Sequence, residues 1–333
     1  VRGGGDNAAN QGKYHKGTGV LMEFYGKLKQ ALVEIGEVAP NSLILAFASG
    51  SWQHGARMDD KADLDVSGVF VGRPEEELQL DNENPRKMGH ASASTAGDKR
   101  KNTKADVDIK AYSLRRWAGL ALKGNPSALS FLFVPDSIKD LSLEPKARWS
   151  CPYDAQQCEY PSCISDHEGY RDSTCVRRNR EAHTNTVWDT MILPNTNDFL
   201  SARAAKAFIG LADNQFHRML GEGTGKHGTR KAEKEEYGYD PQAAMHMIRG
   251  IQECLELLRT GRMTFPRPEK TLLLNIRTGK LGLKEVLDLY GVLRNEVPEA
   301  EKNTPLPPEC DRDKVSKLVA GAIVKHWKER KWL

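Results

Sequence analysis

The stretch Ser42-Leu-Ile-Leu-Ala-Phe-Ala48-Ser49-Gly50-Ser51, followed beyond Gly55 by Asp63-Leu64-Asp65-Val66, decides how this chain is read. Ser42 to Ala48 is a continuous apolar run of strand length that changes abruptly at Ser49-Gly50-Ser51, which predicts a buried strand ending in a tight turn. Lys61 to Val71 then alternates. Leu64, Val66, Val69 and Val71 supply a buried face, while Asp63, Asp65 and Ser67 point the other way. Carboxylates two positions apart on a strand share one face, close enough to hold one or two divalent cations. Gly50 lets backbone approach a phosphate, and Ser51 offers a hydroxyl and an amide N–H.

A further strand is predicted at Asp106 to Tyr112, with Asp106, Asp108 and Lys110 on one face and Val107, Ile109 and Ala111 on the other. It brings Asp108 toward Asp63 and Asp65. Three carboxylates, two metals and a phosphate-binding turn are the parts of a two-metal nucleotidyl-transfer site, in which one cation activates the attacking oxygen and the other neutralises leaving pyrophosphate. The bland reading of Asp-x-Asp is a solvated strand face. The conjunction of turn, spacing and third carboxylate favours the catalytic one.

Outward from this centre, Val20 to Ile35 places its apolar residues on one helical face, and Gly36 fits its stop. Arg73 to Lys104 is polar and reads as a long loop. Leu114, Trp117, Ala118, Ala121 and Leu122 form a helical stripe ended by Gly124-Asn125-Pro126. Ser150 to Asn185 has almost no periodicity and reads as an insertion or boundary. Asp198 to Leu220 is strongly amphipathic. Asp240 and Pro241 open another helix that runs to Gly261, with His246, Arg249, Glu253 and Glu256 on a more polar stripe. Lys284 to Arg294 and Lys314 to Trp327 are further helices.

The 333 residues suffice for two compact units. The expected organisation is a flexible lead over 1–19, an α/β nucleotidyltransferase-type mixed-sheet catalytic domain over 20–137, a Cys-containing insertion or linker over 138–195, and an all-helical domain over 196–333. Forty-nine Lys+Arg against forty-five Asp+Glu leave a net charge of +4, which permits a nucleotide or nucleic-acid partner without demanding one. The mean hydropathy of −0.59 and the strand-sized apolar runs exclude a membrane-embedded class. The N-terminal residues lack a signal-peptide pattern, so a reducing cytoplasm is the expected location.

Gly50-Ser51 with Asp63-Leu64-Asp65-Val66 resembles the signature of the DNA polymerase β nucleotidyltransferase superfamily. More narrowly, the chain is similar to the bacterial and phage nucleotidyltransferases associated with RNA repair. The closer likeness rests on Asp108-Ile-Lys-Ala-Tyr-Ser-Leu, Leu122-Lys-Gly-Asn-Pro, Tyr237-Gly-Tyr-Asp-Pro-Gln-Ala-Ala-Met-His246 with Arg249, Leu258-Arg-Thr-Gly-Arg, and Ile276-Arg-Thr-Gly-Lys. The resemblance implies a polymerase-β-like fold and two Mg²⁺ or Mn²⁺ ions held by Asp63, Asp65 and Asp108. It implies an NTP substrate contacted by Gly50, Ser51, Arg57, Tyr239, His246 and Arg249, and an RNA 3′ end as acceptor. Gln242-Ala243 stand where the family pattern has Lys-His, which alters part of that polar face. The bland readings are a solvated helix face for His246 and Arg249 and packing for Tyr237 and Tyr239.

Two other signals weigh less. Gly221-Glu-Gly-Thr-Gly-Lys226-His227 fails as a P-loop, because its spacing is short and His replaces Ser/Thr. Cys151, Cys158, Cys163 and Cys175, with His167 among them, could ligate a structural zinc: Cys158/Cys163 and Cys163/His167 have pair spacings that zinc takes, but Cys151 and Cys175 lie farther off, so free thiols are preferred over zinc. Alternatives to RNA are a protein or small-molecule acceptor, or a nucleotide- or RNA-binding module without turnover.

Overall fold

The structure, a computed structural model, describes residues 32–33, 38–39, 41–56, 64–78, 90–94, 107–139, 186–221 and 234–333. The helix expected over Val20 to Ile35 lies almost wholly outside the described residues, as do Arg57, Asp63, the Lys226 loop and the four clustered cysteines.

Strands β1 (Leu43–Ala48), β2 (Leu64–Phe70), β3 (His90–Ser94) and β4 (Val107–Ser113) form a sheet in the order β1-β2-β4-β3. The outer pairs, β1 with β2 and β3 with β4, are antiparallel, and the central pair β2 with β4 is parallel. Every residue of β1 is buried, as its unbroken apolar run requires. Its outer edge is met at Phe47 by an isolated bridge to Lys139. Val66, Val69 and Val71 are all buried, but Val69 and Val71 share parity with Asp65 and Ser67, so the inner part of β2 is covered on both faces rather than on one. The long loop expected over Arg73 to Lys104 is a correction: it contains the short helix α2 (Pro74–Glu77) and the edge strand β3. Its small residues gave no apolar period, and the strand exists because β4 supplies hydrogen-bond partners for it.

After α1 (Ser51–His54), which follows the Gly50 turn, the sheet region holds α3 (Leu114–Ala121) and α4 (Pro126–Leu129). Ser113 caps α3 by accepting from Arg116 N at 3.2 Å, and Asn125 caps α4 by accepting from Ala128 N at 3.0 Å. Trp117 lies fully buried on α3 and donates its indole N–H to Ala128 O at 2.9 Å. Its ring meets Trp188 edge-on at 4.6 Å and Phe199 at 5.0 Å. Each such aromatic pair is worth about 0.5–1.5 kcal/mol beyond area burial. Trp188 and Ile192 sit in a π-helical turn over Trp188–Ile192, so the end of the expected 138–195 insertion packs into the same core.

The helical region comprises α5 (Ala204–Leu220), α6 (Pro241–Thr260), α7 (Lys270–Arg277), α8 (Leu283–Lys302) and α9 (Arg312–Glu329). Helix α5 starts six residues later than the expected Asp198, because residues 193–199 form a tighter 3₁₀ segment and Leu200 is extended. Helix α7 has no counterpart in the sequence reading. Asp240 caps α6 by accepting from Gln242 N and Ala243 N, and α6 packs against α5, α7 and α8. Helix α9 returns to the sheet: Trp327 donates to Gly72 O at 2.8 Å, and His326 Nε2 lies 3.1 Å from Asn41 O. One continuous buried cluster therefore runs from sheet to helices. A small mixed sheet followed by a largely helical region is the polymerase-β-like arrangement the resemblance implied.

Candidate active site

The parallel register of β2 and β4 sets Asp65 opposite Asp108. Neighbouring strands run about 4.8 Å apart and paired residues of parallel strands face the same way, so the two carboxylates stand side by side. The pairs on either side, Leu64 with Val107 and Val66 with Ile109, are apolar and lock this register. Asp65 is half-buried, and one oxygen of Asp108 is shielded from solvent.

The turn after β1 is fastened beside this pair. Ser49 N donates to Asp65 O at 2.9 Å, and the Ser67 hydroxyl donates to Ser49 Oγ at 2.8 Å. Gly50 then adopts φ 60° and ψ −129°. A Cβ there would lie 2.1 Å from Asp65 Oδ2. Both the backbone angle and the close approach thus demand glycine. The next residue, Ser51, opens α1 and is partly buried beside the carboxylate end of the sheet.

Among the described residues, no group of three His, Cys, Asp or Glu is disposed to hold a metal ion. The in-register pair supplies two hard oxygen donors, and the absence of a Gly50 side chain lets the turn pack directly on Asp65 Oδ2. That donor chemistry fits Mg²⁺ or Mn²⁺. Asp63, expected as the third ligand, lies outside the described residues, as does Arg57. The Cys151, Cys158, Cys163 and Cys175 cluster also lies outside them, and the described cysteines, Cys254 and Cys310, are free thiols.

A second polar cluster sits at the other end of α1. His54 Nδ1 lies 3.1 Å from Glu253 Oε1 on α6, and Arg249 Nε lies 3.5 Å from the same oxygen. His246, one turn before Arg249, is mostly buried, and its Nδ1 has no hydrogen-bond partner among the described residues. Burial first, then the Arg249 charge, pushes the His246 pKa down to about 3. Burial and Arg249 likewise lower that of His54, keeping it neutral near pH 7. Burial would raise the Glu253 pKa, but His54 and Arg249 outweigh it and hold the carboxyl at about 2. Arg267, 1% exposed, pairs with Glu256 and with Glu269 at 3.0 Å.

Of the expected site residues, the structure brings together Gly50, Ser51, Asp65 and Asp108. It gathers His246 and Arg249 around His54 and Glu253, joined to the first group through α1. The solvated-face reading of His246 and Arg249 is overturned, since α6 turns this stripe toward the sheet region. Tyr239 is also a correction: it is fully buried and donates its hydroxyl to Leu281 O at 2.6 Å, so its ring packs instead of facing a base. Glu253, His54 and Arg267 were missed as members of a polar cluster. The signal was Arg249 and Glu253 at i and i+4 on a helix, a charge pair whose partner from α1 no local pattern reveals.

Among the described residues, no helix is long and apolar enough to cross a membrane. An uncharacterized 38.9 kDa protein of the nrdC-mobD intergenic region of Enterobacteria phage T4 is 24% identical over 296 residues, covering 73% of this chain and 86% of that protein. That likeness extends beyond the sheet region into the helices. No solved structure matches the chain significantly. Over residues 26–143, which include all four strands, the Gly50 turn, Asp65 and Asp108, the chain matches the RNA repair pathway DNA polymerase beta family.

Proposed function

We propose that the protein is a metal-dependent nucleotidyltransferase that moves a nucleotide from an NTP to an acceptor hydroxyl, the acceptor being an RNA 3′ end. The observation that carries this reading is the Asp65–Asp108 register beside a turn whose Gly50 packs directly on Asp65. The match of residues 26–143 to a nucleotidyltransferase family supports the same reaction class.

Asp63, Asp65 and Asp108 would hold Mg²⁺ or Mn²⁺, which when bound supplies charge neutralisation for the triphosphate and acidifies the acceptor hydroxyl. Ser51 contacts the triphosphate through its hydroxyl and N–H, while Gly50 keeps the backbone close enough for that contact. Asp108 helps to take the proton from the acceptor hydroxyl. The acceptor oxygen attacks the α-phosphorus, the bond from that phosphorus to the bridging oxygen breaks, and pyrophosphate leaves. Arg57, His246 and Arg249 contribute on the nucleotide side of the cleft, with the Arg249 guanidinium shared with Glu253.

The test is incorporation of four labelled NTPs, each offered with Mg²⁺ over total RNA. Label in the RNA fraction together with pyrophosphate release is the expected result. Label in protein or in a small molecule would move the acceptor class and leave the chemistry standing. No label and no pyrophosphate with any NTP would return the site to a binding module.

A further inference from the structure

We propose that Glu253 is a positioning residue for the Ser49-Gly50-Ser51 turn: acting through His54, it fixes the nucleotide-contacting end of α1 against the helical region. The proposal rests on the nucleotidyltransferase reading for its catalytic consequence, though not for its structural one.

Helix α1 has only four residues, far too few to be stable alone, so its orientation must come from tertiary contacts. Those contacts concentrate at its C-terminal end. Gln53 Nε2 donates to Ser130 O at 3.1 Å, and Arg267 N donates to His54 O at 3.0 Å. The Phe265 ring stands edge-on to His54 at 5.2 Å. Gly55, at φ +71°, lets the chain pass where a Cβ would lie 2.7 Å from Pro266 Cβ. Among the described residues, Glu253 is the one carboxylate within ion-pair distance of the His54 side chain.

Ser51 lies three residues before His54, so at 1.5 Å rise per residue the two are separated by about 4.5 Å along one rigid turn. A displacement of His54 is therefore passed to Ser51 almost undiminished. Glu253 also faces Arg249 on α6 at 3.5 Å, and Arg267 is held by Glu256 and Glu269, so the anchor belongs to the helical region. The triphosphate-contacting turn thus takes its reference position from α6 as well as from the sheet.

Glu253→Gln removes the charge and keeps the shape, while His54→Asn removes the anchor from the other side and leaves the Arg249–Glu253 pair intact. In both, amide exchange over residues 49–56 is expected to accelerate about tenfold or more relative to the rest of the sheet region. The KM for NTP is expected to rise by a similar factor, while kcat per folded molecule changes less. The double variant should be no worse than the more impaired single one, because both break one linkage. Unchanged exchange over 49–56 in the folded variants, or a lowered melting temperature with unchanged KM, overturns the proposal. If Glu253→Gln does not fold, His54→Asn carries the test. Faster exchange in a protein whose wild type transfers no nucleotide would sink the function reading and uphold the positioning role.

Discussion

The two ends of α1 face opposite kinds of polar cluster. At the Ser51 end, Asp65 and Asp108 bring two like charges together, held by sheet register and by the Gly50 backbone. At the His54 end, Glu253, Arg249, Arg267 and Glu256 bring opposite charges together. Juxtaposed like charges cost energy until a counter-charge arrives, whereas removing one member of a buried opposite pair leaves an uncompensated charge. On the proposed reading the first arrangement receives a cation, and the second holds the molecule together. Substitutions should therefore separate activity from stability according to the end they touch.

The largest contrast is expected at the carboxylates. Asp65→Asn and Asp108→Asn should each lower nucleotide incorporation by about 10³-fold or more, with melting temperature unchanged or raised as the repulsion goes. Incorporation within tenfold of wild type would remove that residue from the catalytic set. At the other end, Arg267→Ala should cost about 3–5 kcal/mol of stability by leaving Glu256 and Glu269 without their shared partner, measured as a drop in the urea midpoint. Arg267→Lys should recover only part, because an ammonium cannot reproduce the guanidinium fork. An undiminished midpoint in Arg267→Ala would erase the distinction between the two clusters.

Acid should act first through the buried histidines. The folded-state pKa of His246 is about 3, and that of His326, lowered by burial and then by Arg330, is about 4, against an ordinary 6.5. The unfolded chain thus takes up protons first as pH falls below 6.5. Stability from these two groups is complete above 6.5 and is lost on the way down through about 4 and 3. Glu253, at about 2 in the fold against 4.5 ordinarily, contributes stability above 4.5 that is lost as pH falls toward 2. His246→Gln should flatten the stability profile between pH 6.5 and 4 by on the order of 2–3 kcal/mol. An equally steep profile in that variant would dissociate His246 from acid sensitivity.

The smallest effect separates packing from substrate contact. Tyr239→Phe deletes one hydrogen bond to Leu281 O and should cost about 1 kcal/mol, with the KM for NTP unchanged. A raised KM at wild-type stability would restore Tyr239 to the nucleotide-contact set.

The carboxylate end was legible because its logic is local. A period of two places Asp65 opposite in face to Val66, and the turn at Gly50 is punctuated by residue type alone. The His54 end was mostly illegible. His54 and Glu253 are 199 positions apart in the chain, and nothing near either one announces the other. Helix α5 was misplaced at its start for a related reason: the apolar stripe continues through a 3₁₀ segment, and only the packing of Phe199 and Leu200 breaks the α-helical hydrogen bonding. For Tyr239 the sequence left nucleotide contact and packing both open, and the Leu281 carbonyl that accepts from its buried hydroxyl decides for packing.

The sequence by itself determined β1, β2 and β4, the glycine turn, the cap of α6 and the carboxylates offered for chemistry, because periodicity, turn propensity and capping act over a few residues. The tertiary structure decided which carboxylates meet, through the parallel pairing of β2 with β4, and which polar residues are withdrawn from solvent, as where His54 of α1 meets Glu253 of α6. Those choices depend on contacts between distant segments, whose free energy appears only when the core that buries them has formed.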